Sequence, residues 1–199
     1  MLFRRACVRG GAFLAQAFAS HALANEEIIG DPAAGRKAAG MCRTCHGVDG
    51  YARIPIAPHI GGERAPYLIH QLKAFRDGTR THEMMSVVAK SLTDQQIADL
   101  AAWYASQIAL ASLPQGVSED AAPEACVACH GALGLSELED APNLAGETVM
   151  YIDTQLKAFR TGKRSHEIMS AVAADLSNED IRNLAEWYAE IDLKIEPAK

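Results

Sequence analysis

The stretch that decides the fold is Cys42-Arg43-Thr44-Cys45-His46, which returns 84 residues later as Cys126-Val127-Ala128-Cys129-His130. The pattern Cys-x-x-Cys-His is typical of covalent haem c attachment. Two thiols can form thioethers to the vinyl groups of one haem, and the adjacent imidazole can take one axial position on its iron. The two copies therefore predict two haem c groups. The predicted attachment residues are Cys42, Cys45, Cys126 and Cys129, and the predicted iron ligands are His46 and His130.

Three other uses of a Cys-x-x-Cys pair fit this sequence less well. A structural zinc site pairs two such motifs about 15–20 residues apart, far closer than these two. A thioredoxin-like redox pair begins a helix beside βαβ patterning, which this sequence lacks. Disulfides within each pair remain open in an exported chain, but they do not account for a histidine directly after both motifs.

The haem motifs belong to a longer tandem repeat with the same offset of 84 residues and no gap. The longest identical run is residues 71–76, Gln-Leu-Lys-Ala-Phe-Arg, which matches residues 155–160. Many shorter matches support the same alignment. They pair Ala57-Pro58 with Ala141-Pro142, Gly62-Glu63 with Gly146-Glu147, Tyr67 with Tyr151, Arg80 with Arg164, His82-Glu83 with His166-Glu167, Met85-Ser86 with Met169-Ser170, and Trp103-Tyr104 with Trp187-Tyr188.

The local signals in each unit predict helices. Asp31 before Pro32 is a good N-cap and first-turn pair for a helix that runs into the first motif. Apolar residues at helical spacing predict helices at 65–77 and about 148–161, each ending before a glycine. Thr93 opens a last helix with a capping box, whereas Ser177 opens its counterpart with Asp in place of Glu or Gln.

The predicted fold is all-α, with two tandem domains that each wrap around one haem. The length of 199 residues suits two small domains, and no stretch shows sustained strand alternation. The repeat weakens at about residues 111–125, which places an N-terminal domain at 25–112 and a C-terminal domain at 113–199. Pro123 predicts that the opening helix of the second unit is short or interrupted.

Residues 1–24 have the pattern of a cleaved export signal, with a basic start, a short apolar run and Ala22-Leu23-Ala24 as the cleavage site. An uncleaved anchor is the alternative, but the apolar run is broken and shorter than the roughly 20 residues that a span needs. The expected location is the periplasm, with no transmembrane anchor in the mature chain. Cys7 lies in the signal, so no cysteine is left for a structural disulfide.

Charge is divided unevenly along the chain, whose formal net charge is −6. Residues 25–113 carry nine acidic and nine basic side chains, whereas residues 114–199 carry sixteen acidic and seven basic ones. The resulting dipole can orient the molecule against a partner, and the acidic side chains also favour solubility. Nucleic acid is not an expected partner of such an acidic chain.

The second axial ligand decides whether a haem iron transfers electrons or binds small molecules. Met85 and Met169 occupy matched positions of the repeat, whereas Met84 has no methionine partner. A ligand that both haems need is therefore predicted at Met85 and Met169. His82 and His166 also repeat, three residues earlier, so they remain alternative ligands, and core packing remains a further use of the methionines.

Other repeated residues suggest how the haems are held. The carbonyls of Pro58 and Pro142 can accept the Nδ1 protons of His46 and His130, which would fix each ring and strengthen its donation to iron. Repeated arginine and tyrosine side chains can meet haem propionates, although surface solvation or ordinary packing suits them equally. These four residues are Arg80, Arg164, Tyr67 and Tyr151.

Together these features resemble the dihaem class I cytochromes c, most closely the cytochrome c4 type, over nearly all of the chain after residue 24. The resemblance implies two class I cytochrome c folds related by approximate twofold symmetry, with haems close enough for electron transfer between them. The residues that carry it are the two haem motifs, Pro58, Pro142, the run at 63–72, and a methionine seven positions before Leu92 and Leu176. The implied iron ligands are His46 with Met85 and His130 with Met169.

The predicted function is outer-sphere transfer of single electrons and not enzymatic catalysis, because two protein ligands per iron leave no open site for a substrate. The resemblance implies a periplasmic carrier with redox proteins as partners, among them a terminal oxidase or reductase, and peripheral contact with a membrane complex is compatible with it. A cytochrome subunit of a dehydrogenase complex, such as a flavocytochrome that oxidises a sulfur compound, is the alternative. A dihaem peroxidase or a thiosulfate-oxidising enzyme needs a vacant or different ligand at one haem, which the matched methionines disfavour.

Overall fold

The structure is a computed structural model that describes residues 28–198. The predicted export signal lies outside these residues. Helices dominate the described part of the chain, and one small sheet accompanies them. Between residues 28 and 198, no helix is long and apolar enough to cross a membrane.

The first unit begins with the helix that leads into the haem motif. Asp31 caps this helix by accepting a hydrogen bond from Ala33 N, and Pro32 is its first residue, as predicted. Gly78, with φ of 81°, ends the long helix that follows, and Thr93 forms the predicted capping box with Gln96. The α-helices are α1 (Pro32–Ala38), α2 (Arg43–His46), α3 (Ala65–Asp77), α4 (Met85–Lys90) and α5 (Asp94–Ala105).

The second unit repeats this order with a reduced opening. Where the first unit has α1, the second has only a 3-10 turn at Glu119–Ala121, and the motif helix starts after Pro123, as predicted. Asp180 completes the capping box of Ser177, so a shorter acidic side chain closes this box as well. The helices are α6 (Glu124–His130), α7 (Val149–Arg160), α8 (Glu167–Ala174) and α9 (Asn178–Ala189).

Each unit has its own hydrophobic core, and the two cores use matched positions of the repeat. In the first unit α3 packs against α4 and α5, and in the second α7 packs against α8 and α9. The motif cysteines Cys42 and Cys126 border the two cores. The matched buried residues are Leu68, Ile97, Ala101 and Tyr104 in the first core, and Ile152, Ile181, Ala185 and Tyr188 in the second.

A two-stranded sheet joins the units, and the expectation that no strand forms was wrong at these two segments. Strand β1 (Ile108–Ser112) follows α5, strand β2 (Asp192–Glu196) follows α9, and the two pair antiparallel. In both strands half-buried and exposed residues alternate. Five residues are too few for alternation to stand out in a sequence, and the partner strand lies in the other unit.

The register of this sheet gives the junction local twofold symmetry. Ile108 pairs with Glu196 and Ser112 pairs with Asp192, while Leu110 pairs with Lys194 at the centre. Because the repeat offset is 84 residues, each strand meets its own equivalent, turned end for end. The two units therefore face each other through equivalent surfaces.

Gly62 lies where the first unit turns towards this junction. Its N–H donates to Tyr104 O at 2.8 Å, and its φ of 78° lies in the left-handed region. A Cβ at this position would lie 2.6 Å from Ala109 Cβ in β1. Both the backbone conformation and the packing therefore require glycine here.

We predict that Gly62→Ala lowers the free energy of unfolding of the haem-loaded protein more than Gly78→Ala does. Both positions have positive φ, so each substitution incurs a strain of roughly 1–2 kcal/mol. Only Gly62→Ala adds an overpacking cost of about 1–3 kcal/mol, because a Cβ at Gly78 meets nothing within 4 Å. Urea titration followed by circular dichroism measures both changes, and equal losses would contradict the prediction.

Candidate haem sites

Each Cys-x-x-Cys-His motif includes a short helix that ends at the histidine. In the first motif Cys42 directly precedes α2, and the whole second motif lies on α6. Gly47 and Gly131 follow the histidines with φ of 74° and 75°, which ends both helices there. Because residues three apart on a helix share a side, the two sulfur atoms of each motif lie on the same side.

All four motif cysteines are half-buried free thiols. Burial raises the pKa of the thiols of Cys42 and Cys126, which keeps them protonated in the absence of a covalent partner. None of the four thiols forms a disulfide in the described part of the chain. A shared zinc site is not realised either, because the two motifs border separate cores.

The motif histidines are buried and held by the two predicted proline carbonyls. His46 Nδ1 lies 2.9 Å from Pro58 O, and His130 Nδ1 lies 2.8 Å from Pro142 O. A carbonyl oxygen only accepts, so Nδ1 carries the proton in both rings and Nε2 keeps its lone pair. Burial lowers the pKa of both histidines, and the carbonyl bond opposes this shift only in part. Both sites thus present a neutral, oriented imidazole.

The predicted methionine ligands lie in the first turns of equivalent helices. Met85 begins α4 and is half-buried, and Met169 in α8 packs against the second core. Met84 is 59% exposed, which sets it apart from Met85.

The alternative ligands, His82 and His166, accept backbone hydrogen bonds at the starts of α4 and α8. Met85 N donates to His82 Nδ1 at 3.4 Å, and Met169 N donates to His166 Nδ1 at 3.3 Å. His166 is the N-cap of α8, and the backbone N–H of each histidine donates in turn to the serine four residues on. These histidines fix the start of the helices that carry the methionines.

Comparison with known proteins identifies the family. The family model described as cytochrome C oxidase, cbb3-type, subunit III matches residues 118–187, which include the second motif. Cytochrome c4 of Pseudomonas aeruginosa is 35% identical over 176 residues, covering 79% of this chain and 87% of that protein. The chain belongs to the cytochrome c4 family.

Two further relatives support this assignment. The crystal structure of reduced recombinant cytochrome c4 from Pseudomonas stutzeri matches with a TM-score of 0.70 and 30% identity, covering 82% of this chain and 100% of that one. A thiosulfate dehydrogenase electron acceptor from Stutzerimonas stutzeri is 31% identical over 177 residues, covering 79% of this chain and 82% of that protein. The predicted class I cytochrome c fold is confirmed.

As a member of the cytochrome c4 family, the chain is a dihaem electron-transfer protein with two covalently bound haem c groups, and it is not an enzyme. The residues of both units fit such groups. Each unit offers two free thiols on one side of a helix and a neutral imidazole with an available Nε2.

The repeated arginines and tyrosines form a hydrogen-bonded network between the units. Arg80 donates to Gln71 of its own unit at 2.5 Å and to Gln155 of the other unit at 2.9 Å. Arg164 mirrors it, donating to Gln155 at 2.8 Å and to Gln71 at 3.2 Å. Their second guanidinium nitrogens also approach Tyr151 and Tyr67 at 3.5 Å and 3.4 Å. These four side chains are therefore neither solvated surface nor simple packing.

His59 also bridges the units. Its Nδ1 accepts from Ala52 N at 2.9 Å, so its Nε2 carries the proton and donates to Gly146 O at 3.0 Å. Burial lowers its pKa, which favours the neutral ring that this pair of bonds needs. The matched residue Asn143 makes the same two bonds, accepting from Ser136 N at 2.9 Å and donating to Gly62 O at 3.1 Å.

We predict that His59→Asn reduces the loss of stability on acidification. With its pKa lowered in the folded state, His59 contributes stability above the unfolded pKa of about 6.5 and loses it as the pH falls towards the folded value. Asparagine keeps both hydrogen bonds, as Asn143 shows, and does not titrate.

The measurement is the urea midpoint of the two haem-loaded proteins at pH 7.5 and at pH 5. The wild type should fall more than the variant between these values, and every other titrating group cancels in the comparison. An equal fall in both proteins would contradict the prediction.

Proposed function

We propose that this chain is a periplasmic carrier that moves single electrons between redox proteins of a respiratory chain and donates to a terminal oxidase or reductase. The observation that carries the proposal is that each unit has a buried imidazole held by a proline carbonyl and a half-buried methionine in the first turn of a later helix. Both units are built for the same iron coordination, so neither is specialised for binding a substrate.

We assign the haem of the first unit to Cys42 and Cys45 and that of the second unit to Cys126 and Cys129. His46 with Met85 would ligate one iron, and His130 with Met169 the other. The half-burial of Met85, beside the exposed Met84, supports this choice. The backbone hydrogen bonds that His82 and His166 accept support it too, because they give these histidines a role at the helix starts.

When bound, each haem c supplies an iron that alternates between ferrous and ferric states. The chain keeps the ligand set unchanged in both states. The proline carbonyls hold the imidazole rings in one orientation, and the buried cores around the motifs limit the access of water. A neutral thioether and an apolar pocket favour the ferrous state, which suits a carrier that feeds a strong oxidant.

The domain boundaries and the location are part of this proposal. Residues 25–112 would form the N-terminal domain and residues 113–199 the C-terminal one, with Ala111 and Leu113 packed against the second core at the junction. The basic, apolar and small-residue pattern of residues 1–24 supports export to the periplasm. Covalent haem attachment outside the cytoplasm is consistent with that route.

A second candidate is the cytochrome partner of a dehydrogenase that oxidises a sulfur compound. The relative from Stutzerimonas stutzeri named as a thiosulfate dehydrogenase electron acceptor favours it. The iron ligands would be the same, but one face would be permanently covered by the dehydrogenase. Purification from the native membrane and periplasm separates the two, because only this candidate yields a stoichiometric complex.

We predict that Met85→Ala and Met169→Ala each remove half of the near-infrared sulfur-to-iron absorption of the ferric protein, and that the double variant removes all of it. Each substitution takes one thioether from one iron and leaves the other site intact. Absorption spectra of the purified variants measure the loss.

Met84→Ala and His82→Ala are the matched controls, and both should keep the full band. Persistence of the band in the double methionine variant, or its halving in His82→Ala, would refute the proposed ligands.

A further inference from the structure

Two buried glutamates lie between the units, in matched positions of the repeat. Glu63 is 4% exposed and Glu147 is 2% exposed. Within residues 28–198, neither carboxyl group takes part in a salt bridge. Burial of an unpaired carboxyl group is costly, so these two groups need a structural or functional reason for their position.

Each glutamate accepts a backbone hydrogen bond from the opposite unit. Glu147 Oε1 accepts from His59 N at 2.7 Å. Both carboxyl oxygens of Glu63 accept from Asn143 N, at 3.0 and 3.1 Å. Because His59 and Asn143 are matched residues of the repeat, the two bonds are equivalent and cross the junction in opposite directions.

The peptide groups that donate these bonds are the same ones that hold the motif histidines. The N–H of His59 and the C=O of Pro58 belong to one peptide, and that carbonyl accepts from His46 Nδ1. The peptide between Pro142 and Asn143 likewise holds His130. A continuous path therefore runs from Glu147 through one peptide to His46, and a second path runs from Glu63 to His130.

Hydrogen bonds in such a chain strengthen one another. A carboxyl oxygen that draws on the peptide N–H increases the negative charge on the carbonyl oxygen of that peptide. The carbonyl then pulls harder on the imidazole Nδ1 proton, which makes Nε2 a stronger donor to iron. Stronger donation favours the ferric state and lowers the reduction potential.

We propose that Glu147 and Glu63 are positioning residues that set the reduction potential of the haem in the opposite unit, through the peptide that holds its axial histidine. Glu147 acts on the haem of His46, and Glu63 acts on the haem of His130. The inference rests on these two histidines as iron ligands and does not depend on the choice of methionine or on the physiological partner.

Burial governs the ionisation of both carboxyl groups. It raises the pKa of Glu63 to about 8 and that of Glu147 well above its usual value, while the backbone N–H bonds oppose the shift. A carboxyl group accepts through an oxygen in either protonation state. The decisive substitution therefore removes the acceptor itself.

The test replaces each glutamate in turn by methionine, which has a similar length and no strong acceptor. Redox titrations followed by NMR give the potential of each haem separately, with the haem resonances assigned through their contacts to core side chains of each unit. Glu147→Met should raise the potential of the first haem and leave the second unchanged. Glu63→Met should do the reverse, so each variant is the control for the other.

A second readout follows the hydrogen bond directly. In the ferrous protein, the Nδ1 proton resonance of His46 should move upfield in Glu147→Met, while that of His130 stays in place. Glutamine keeps an acceptor oxygen, so Glu147→Gln should restore most of the wild-type potential and resonance position. A role confined to holding the units together would not produce this crossed pattern.

Three outcomes would overturn the inference: a shift confined to the haem of the substituted unit, equal shifts of both haems, or no shift. If a methionine variant does not assemble, Glu147→Leu and Glu63→Leu, which also remove the acceptor oxygen, decide instead. The potential of the haem in the opposite unit should then rise and that of the haem in the substituted unit should not.

Discussion

The hydrogen bond between each motif histidine and the carbonyl of a proline twelve residues later is the contact on which the rest of the structure depends. It selects the tautomer that leaves Nε2 free. It also connects the haem motif to the loop whose next residue, His59 or Asn143, hydrogen-bonds to the other unit. Burial alone would give a neutral imidazole but would not orient it. The cores, caps and glycine turns of both units bring the imidazole and the proline carbonyl together in the same way. The two units therefore contain two copies of one site.

The junction between the units is polar and reciprocal, and it differs in kind from the two cores. The β1–β2 pairing, the arginine–glutamine network and the glutamate–backbone bonds are reciprocal. Each bond from the first unit to the second has an equivalent bond from the second unit to the first. Such contacts have demanding geometry and little tolerance for sliding, because a buried donor or acceptor without its partner is costly. Two haem units held in this way have a fixed mutual orientation, as electron transfer between them requires, and each motif histidine is linked through one peptide to a glutamate of the other unit.

The features that the sequence predicted are those that local chemistry determines. The caps at Asp31 and Thr93, the stop at Gly78, the shortened start at Pro123 and the carbonyl of Pro58 all lie close in sequence to the groups they serve. The contacts at the junction could not be predicted from the sequence, because their bonds join residues that are more than 70 positions apart. Comparison of the two repeats does not reveal the shared role of His59 and Asn143, because these residues differ in type although they make the same bonds. Glu63 and Glu147 are identical in the two repeats, but their role depends on hydrogen bonds to the backbone of the other unit.

The central claim is that each iron is held between two protein side chains, so that an electron passes but no substrate binds. Exposure of the fully reduced, unmodified protein to carbon monoxide tests this claim most directly, because carbon monoxide binds ferrous haem only where an axial position is open or labile. The account predicts a ferrous spectrum unchanged by carbon monoxide at both haems. Formation of a carbonyl adduct at either haem of the folded protein would contradict it and would place the chain among the ligand-binding or catalytic cytochromes.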